Sequence, residues 1–191
     1  TVKDTLSLHD ALPIWRRSGL DDTLTPVTPD ALFERLRALG IELETVEHPP
    51  VYTVEEAQRH RSGLTGGHCK NLLLRDKAKA NFLLVVEEER PVDPKAVQAL
   101  LGCKRLSFAR PERLVELLGV EPGAVTPFAV VNDTERAVEV VLERALLSHD
   151  RVCFHPLTNT MTTALAPDDL LRFLEAEGHA PRIVDLDAPG G

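Results

Sequence analysis

Two short stretches place polar, titratable side chains at the ends of apolar runs. Lys70 and Asn71 open the run Cys69 to Leu74, CKNLLL, which reads as a strand. A lysine there lies along apolar walls with its ammonium at the sheet's end as a partly desolvated point charge. The competing reading is an edge lysine that discourages strand pairing. His155, followed by Pro156, ends a second apolar run at Phe154. Its imidazole would then lie at a strand end rather than mid-core, the competing reading being a satisfied structural histidine. Cys153 and His155 sit two apart on one strand face, with His149 nearby, but no second ligand pair accompanies them, so no metal is expected. The glycine-rich loop Ser62 to Gly67 matches neither phosphate-cradling pattern and reads as a loop leading into a strand. G-x-S-x-G is absent, so a hydrolase nucleophile elbow has no support.

The elements that must position these residues are well punctuated. Thr28-Pro29 opens a helix with Leu32, Leu36 and Leu39 on one face and Gly40 at its end. Ile41 to Val46 alternates like a half-buried strand. Thr53 and Glu56 form a capping box for a short helix that ends before Ser62. Cys69 to Arg75 and Asn81 to Val86 pair through the polar turn Asp76 to Ala80. Asp93-Pro94 starts a helix closed by Gly102, Arg105 to Ala109 reads as a strand, and Pro111 to Leu118 as a helix stopped by Gly119. Phe128 to Val131, Ala137 to Leu142, Arg151 to Phe154 and Met161 to Leu165 are expected strands. A helix from Ala166-Pro167 to Gly178 and a strand at Ile183 to Leu186 finish the chain. The result is one mixed α/β (α+β) layered domain.

Composition sets limits on what such a domain does. The 191 residues are 43% hydrophobic, enough for one core, and carry a formal charge of −8. Net acidity and 4% aromatic residues exclude a protein that coats DNA or stacks a long row of bases. Cys69, Cys103 and Cys153 are odd in number and widely spaced, which fits a reducing, cytoplasmic setting. No apolar run is long enough to span a membrane, so no membrane partner is expected. Against the overall acidity, Arg59 to Lys79 holds six Lys and Arg with one acid, and Lys95 to Arg113 holds five with one acid. These segments are either phosphate-binding surfaces or solvated faces. Residues 1–26, with the only Trp and the broken run LSLHDALPI, are neither a secretory signal nor part of the fold, and are read as an artefactual or poorly ordered extension.

Three stretches in order, CKNLLLRDKAKANFLLVV from Cys69, PGAVTPFAVVND from Pro122 and FHPLTNTMTT from Phe154, resemble the YbaK/ProX family, closest to its free-standing Ala-tRNA(Pro) deacylases. The resemblance spans about Thr28 to Asp187 and implies a YbaK/ProX-like domain over 27–188 with a mixed, mostly antiparallel sheet flanked by helices. It implies hydrolysis of the ester between alanine and the 3′ adenosine of mischarged proline tRNA, without cofactor. It carries the family's essential Lys and Asn onto Lys70 and Asn71 and its functional histidine onto His155. It places the aminoacyl pocket at Gly123, Thr126, Pro127 and Phe128, and the Thr pair at Thr162 and Thr163. Arg75, Lys77, Lys79, Lys104 and Arg105 are then the residues expected to hold tRNA. The segment Arg75 to Lys79 is favoured because its hairpin also carries Lys70. Partners would be the tRNA and prolyl-tRNA synthetase. The alternatives are a deacylase for another mischarged tRNA, such as Cys-tRNA(Pro), or a non-catalytic nucleic-acid-binding or regulatory module of the same fold.

Overall fold

The computed structural model describes residues 25–51 and 63–187. The expected extension at 1–26 lies outside them except for Thr25 and Pro26, and so does the capping-box helix at Thr53 and Glu56. The described elements are α1 (Pro29–Ala38), β1 (Glu44–Glu47), β2 (Gly67–Asp76), β3 (Asn81–Glu87), α2 (Pro94–Leu101), β4 (Leu106–Phe108) and α3 (Pro111–Leu118). A 3₁₀ segment (Pro127–Asn132), β5 (Val138–Glu143), a second 3₁₀ segment (Arg144–Ser148), β6 (Val152–Phe154), β7 (Met161–Leu165), α4 (Pro167–Ala176) and β8 (Arg182–Val184) follow.

One sheet runs β1-β7-β6-β2-β3-β5-β8, with β4 added on β2. The β1/β7, β6/β7, β2/β3 and β2/β4 pairs are antiparallel, and β2/β6, β3/β5 and β5/β8 are parallel. The sheet is therefore mixed and mostly antiparallel, as the sequence leads one to expect. β3 sits at its centre, so its residues from Asn81 to Val86 are all buried and read as one apolar run, as strands covered on both faces do. On one face Leu73, Leu83, Val85, Val140 and Phe154 pack against α1, α3, the 127–132 segment and α4. On the other, Leu74, Phe82, Leu84 and Val86 pack against Val97 and Leu101 of α2.

Local chemistry sets the element ends. The Thr28 hydroxyl accepts from Ala31 N at 3.3 Å and Asp93 Oδ1 from Lys95 N at 2.9 Å, each just before a first-turn proline. Asp76 Oδ1 accepts from Ala80 N at 2.9 Å and closes the β2–β3 turn. β1 starts later than the alternation predicts, because Ile41 N is still bonded to Leu36 O at the end of α1. The expected strand at Phe128 to Val131 is instead a 3₁₀ turn. Pro127 has no N–H for a ladder, the Thr126 hydroxyl accepts from Phe128 N at 3.3 Å, and Ala129 N bonds Thr126 O at 3.1 Å. A short, fully buried apolar run has no periodicity to tell strand from turn, and the cap decides.

Asp133 joins that turn to β5. Its two carboxylate oxygens, buried, accept from Ala137 N at 2.9 Å and Val138 N at 2.8 Å. Asp133→Ala leaves both amides without their acceptor and is expected to lower stability by about 2–4 kcal/mol. Chemical denaturation measures this, and a loss below about 1 kcal/mol would show that solvent replaces the carboxylate.

Candidate active site

β2 is bonded along its length to β3, but its other edge is shared. β6 takes Gly67 and His68, β4 takes Leu74 to Asp76, and no described strand lies beside Cys69 to Leu73. The start of the strand admits no side chain at residue 67, since a Cβ there would lie 2.5 Å from the His149 ring. The glycine-rich loop thus delivers β2 against β6. Into the gap reach the carbonyl of Val125, which accepts from Asn71 Nδ2 at 2.9 Å, and the amide of Ala109, which donates to Leu73 O at 2.8 Å.

Strand alternation sends Lys70 and Asn71 to opposite faces, Lys70 with Leu72 and Leu74, Asn71 with Cys69 and Leu73. They can meet one ligand only at this interrupted edge. Lys70, partly buried and in register with Val86, donates from Nζ to the carbonyl of Arg90. An ammonium keeps two further donors for a ligand. The Arg90 backbone is anchored by its own guanidinium, which binds Asp187 through two bonds of 2.8 and 2.6 Å and pairs with Glu143. Glu143 is 1% exposed, and its Oε2 accepts from Glu87 N at 2.9 Å. Burial pushes the Glu143 carboxyl up, against the pull of the Glu87 amide and the Arg90 charge. The bonds from Arg90 hold the Asp187 carboxyl below its ordinary value. Sequence reasoning missed Arg90, Glu143 and Asp187, which no local spacing links to Lys70. Asn71 Oδ1 is buried and, among the described residues, has no hydrogen-bond partner. Such an acceptor is rare and calls for a donor.

His68 and Cys153 are register partners, and His155 follows directly after the end of β6 as Lys70 follows two residues after His68. His155 Nδ1 donates to Met161 O at 2.7 Å, which leaves the lone pair on Nε2. Burial pushes its pKa below the ordinary 6.5; the Met161 carbonyl opposes this and His48 reinforces it. The His48 ring stands 5.7 Å from that of His155, tilted by 59°. His48 Nδ1 donates to Pro49 O, and its Nε2 accepts the Thr162 hydroxyl at 2.9 Å. Sequence reasoning missed His48 too; the only signal for it was the alternation that leads into His48-Pro49-Pro50. Thr162 therefore belongs with the histidines. Thr163, fully buried, points the other way and bonds the Thr45 hydroxyl at 2.9 Å.

Gly123 turns the chain at φ +89°, and Val125 follows as the partner of Asn71. Thr126, Pro127 and Phe128 are buried; the Thr126 hydroxyl is used as a cap, and the Phe128 ring packs edge-on against Phe154 and Phe173 at 5.8 and 5.4 Å. Cys69 is a poor nucleophile, since burial and Cys153 beside it push its thiol well up. His149 pairs with Glu87 at 2.7 Å, and among the described residues no group of three His, Cys, Asp or Glu side chains is placed to hold a metal.

The two basic segments converge. Lys77 N bonds Arg105 O at 3.0 Å and Lys104 N bonds Asp76 Oδ2 at 3.3 Å, so exposed Lys77, Lys79, Lys104 and Arg105 form one patch, with Arg75 partly buried beside it. They lie at the opposite end of β2 from Lys70, about 20 Å away at about 3.3 Å per residue.

The profile of the family described as Aminoacyl-tRNA editing domain matches residues 48–173. A Danio rerio protein named Prolyl-tRNA synthetase associated domain-containing protein 1 is 44% identical over 158 residues, covering 82% of this chain and 86% of that one. The Prolyl-tRNA editing protein ProX of Acetoanaerobium sticklandii is 36% identical over 157 residues, covering 82% and 96%. A solved structure described as a candidate trans-editing enzyme for prolyl tRNA synthetase shares the fold, with a TM-score of 0.64 at 23% identity over 82% of this chain and 94% of that one. Among the described residues no helix is long and apolar enough to cross a membrane. The chain belongs to the aminoacyl-tRNA editing domain family.

Proposed function

We propose that this chain hydrolyses mischarged Ala-tRNA(Pro) in the cytoplasm, releasing alanine and free tRNA. The observation that carries the reading is the interrupted edge of β2, on which the Lys70 ammonium is anchored by the Arg90 carbonyl and Asn71 Oδ1 is left without a partner among the described residues; His155, just beyond β6, would complete the site. The name of the Acetoanaerobium sticklandii relative supports prolyl-tRNA as the class of substrate, and that of the zebrafish relative supports docking on prolyl-tRNA synthetase.

An aminoacyl ester is already activated, so positioning of water and stabilisation of charge suffice without a protein nucleophile. Lys70 would hold the oxygen on which negative charge develops, or a phosphate of the terminal nucleotide. Asn71 Oδ1 would accept from the terminal nucleotide or the aminoacyl amine. His155 Nε2 would accept a proton from water or from the vicinal ribose hydroxyl and orient it. Water adds to the ester carbon, the carbon–oxygen bond to the ribose breaks, and a proton returns to the ribose oxygen. The 123–128 segment, stiffened by the Phe128 packing, would act as a sieve that admits alanine and excludes the larger proline. Deacylation measured across charged tRNAs tests the reading. Release of alanine from Ala-tRNA(Pro), with Pro-tRNA(Pro) spared, is expected. Preference for Cys-tRNA(Pro) would move the substrate, and binding without hydrolysis would make the protein a non-catalytic module.

Three outcomes follow from these roles. Lys70→Ala, folded by circular dichroism, is expected to lose about 100-fold or more in kcat, as when a preorganised donor is removed; a near-wild-type rate would reduce Lys70 to an edge lysine. Deacylation relative to a His155→Asn variant should hold its rate as pH falls through 6.5 and decline only below it, because burial keeps His155 neutral there. A decline centred above 6.5 would contradict this. Charge reversal at Lys77, Lys79, Lys104 or Arg105 should raise KM for tRNA with little change in kcat. It should also reduce the salt slope of binding by about one for each phosphate that is no longer neutralised. Unchanged KM and slope in all four would mean that tRNA approaches by another face.

A further inference from the structure

Among the described residues, Phe108 is the large apolar side chain left in water, 62% exposed. On β4 it is in register with Leu74 of β2, so it shares a face of the sheet with Leu74, Leu72 and Lys70. Leu74 lies four residues beyond Lys70, about 13 Å along the strand. Further on, at the β2–β3 turn, the exposed Lys77, Lys79, Lys104 and Arg105 are drawn together through Asp76 and the Lys77–Arg105 bond. One strand thus lines up an anchored ammonium, an exposed aromatic ring and a cluster of cations.

We propose that Phe108 stacks on one of the two unpaired bases that precede the terminal adenosine of a tRNA. The inference rests on the function proposed above and extends it to an interaction that no residue spacing indicated. A ring in water suits a single-stranded nucleotide, because every base offers a π face and stacking tolerates any sequence. The cations beyond it suit the phosphates where the strand becomes paired. Charge complementarity selects this occupant: the chain carries −8 overall, and this patch is a local exception to it. An apolar protein partner would have no use for the cations. Order along β2 also agrees, with the terminal adenosine at Lys70, the preceding bases at Phe108 and the stem at the turn.

The test uses deacylated tRNA carrying 2-aminopurine at each of those two positions in turn, titrated with the wild-type protein, Phe108→Tyr and Phe108→Ala. One position is expected to lose fluorescence on binding wild type and Phe108→Tyr. In Phe108→Ala that quenching should be absent, with tRNA Kd raised about 5- to 150-fold, the range for removing one base–aromatic stack. Quenching at neither position, or quenching that survives Phe108→Ala, overturns the stack. A wild-type dimer that dissociates in Phe108→Ala, seen by light scattering, also overturns it and assigns the ring to a second copy. The two readings fail separately. Hydrolysis of charged tRNA without quenching removes the stack and leaves the deacylase, whereas quenching without hydrolysis leaves the stack and removes the deacylase.

Discussion

Strand β2 spends one edge entirely on β3 and divides the other between β6 and β4. That division is the constraint on which the site depends. A continuous ladder would bury the edge of Cys69 to Leu73. The parallel pair with β6 ends after His68, and the antiparallel pair with β4 begins only at Leu74, so the edge between them has no strand partner among the described residues. Glycine at position 67 is needed because the strand enters against the His149 ring. The Thr126 cap turns the following chain into a 3₁₀ segment, which leaves the Val125 carbonyl free to meet Asn71 instead of a ladder.

The Lys70 ammonium is held by an acidic framework. A lysine on a flexible stem gains a defined position only if a fixed acceptor receives it. Here the acceptor is a backbone carbonyl, and the backbone is anchored by the Arg90 guanidinium between Glu143 and Asp187. Burying Glu143 is costly by itself; the Glu87 amide and the Arg90 charge offset that cost. Asp187 brings the segment after β8 into the same anchor, so β3, β5 and the chain beyond β8 all contribute to the orientation of one ammonium.

Much of the fold was legible in the residues themselves. Thr28-Pro29 and Asp93-Pro94 announced helices α1 and α2, and Gly102 and Gly119 ended α2 and α3, because caps act through neighbouring backbone groups. The β2–β3 hairpin was readable from its apolar runs and the polar turn between them. Phe128 to Val131 misled, since a fully buried run is apolar whether it is extended or turned. The likeness of three ordered stretches to the editing family was also visible without coordinates, and the domain match agrees with it.

Tertiary structure decided what those residues touch. Sequence adjacency put Lys70 beside Asn71, but pleating sends their side chains to opposite faces, and the division of the β2 edge leaves the strand without a ladder partner where they stand. It put Lys77 and Lys79 on the same hairpin as Lys70, but a strand is rigid and long, so the turn lies far from the gap. Conversely, Arg90, Glu143 and Asp187 stand apart in the chain and meet only through sheet order, as do His48, Thr162 and His155 through the pairing of β1, β7 and β6. The sequence by itself determined the elements, the family and the residue types available for chemistry, because capping and alternation act within a few residues. The tertiary structure alone decided which of them share a face, a charge or a cavity edge, because those relations depend on strand order and register between distant segments.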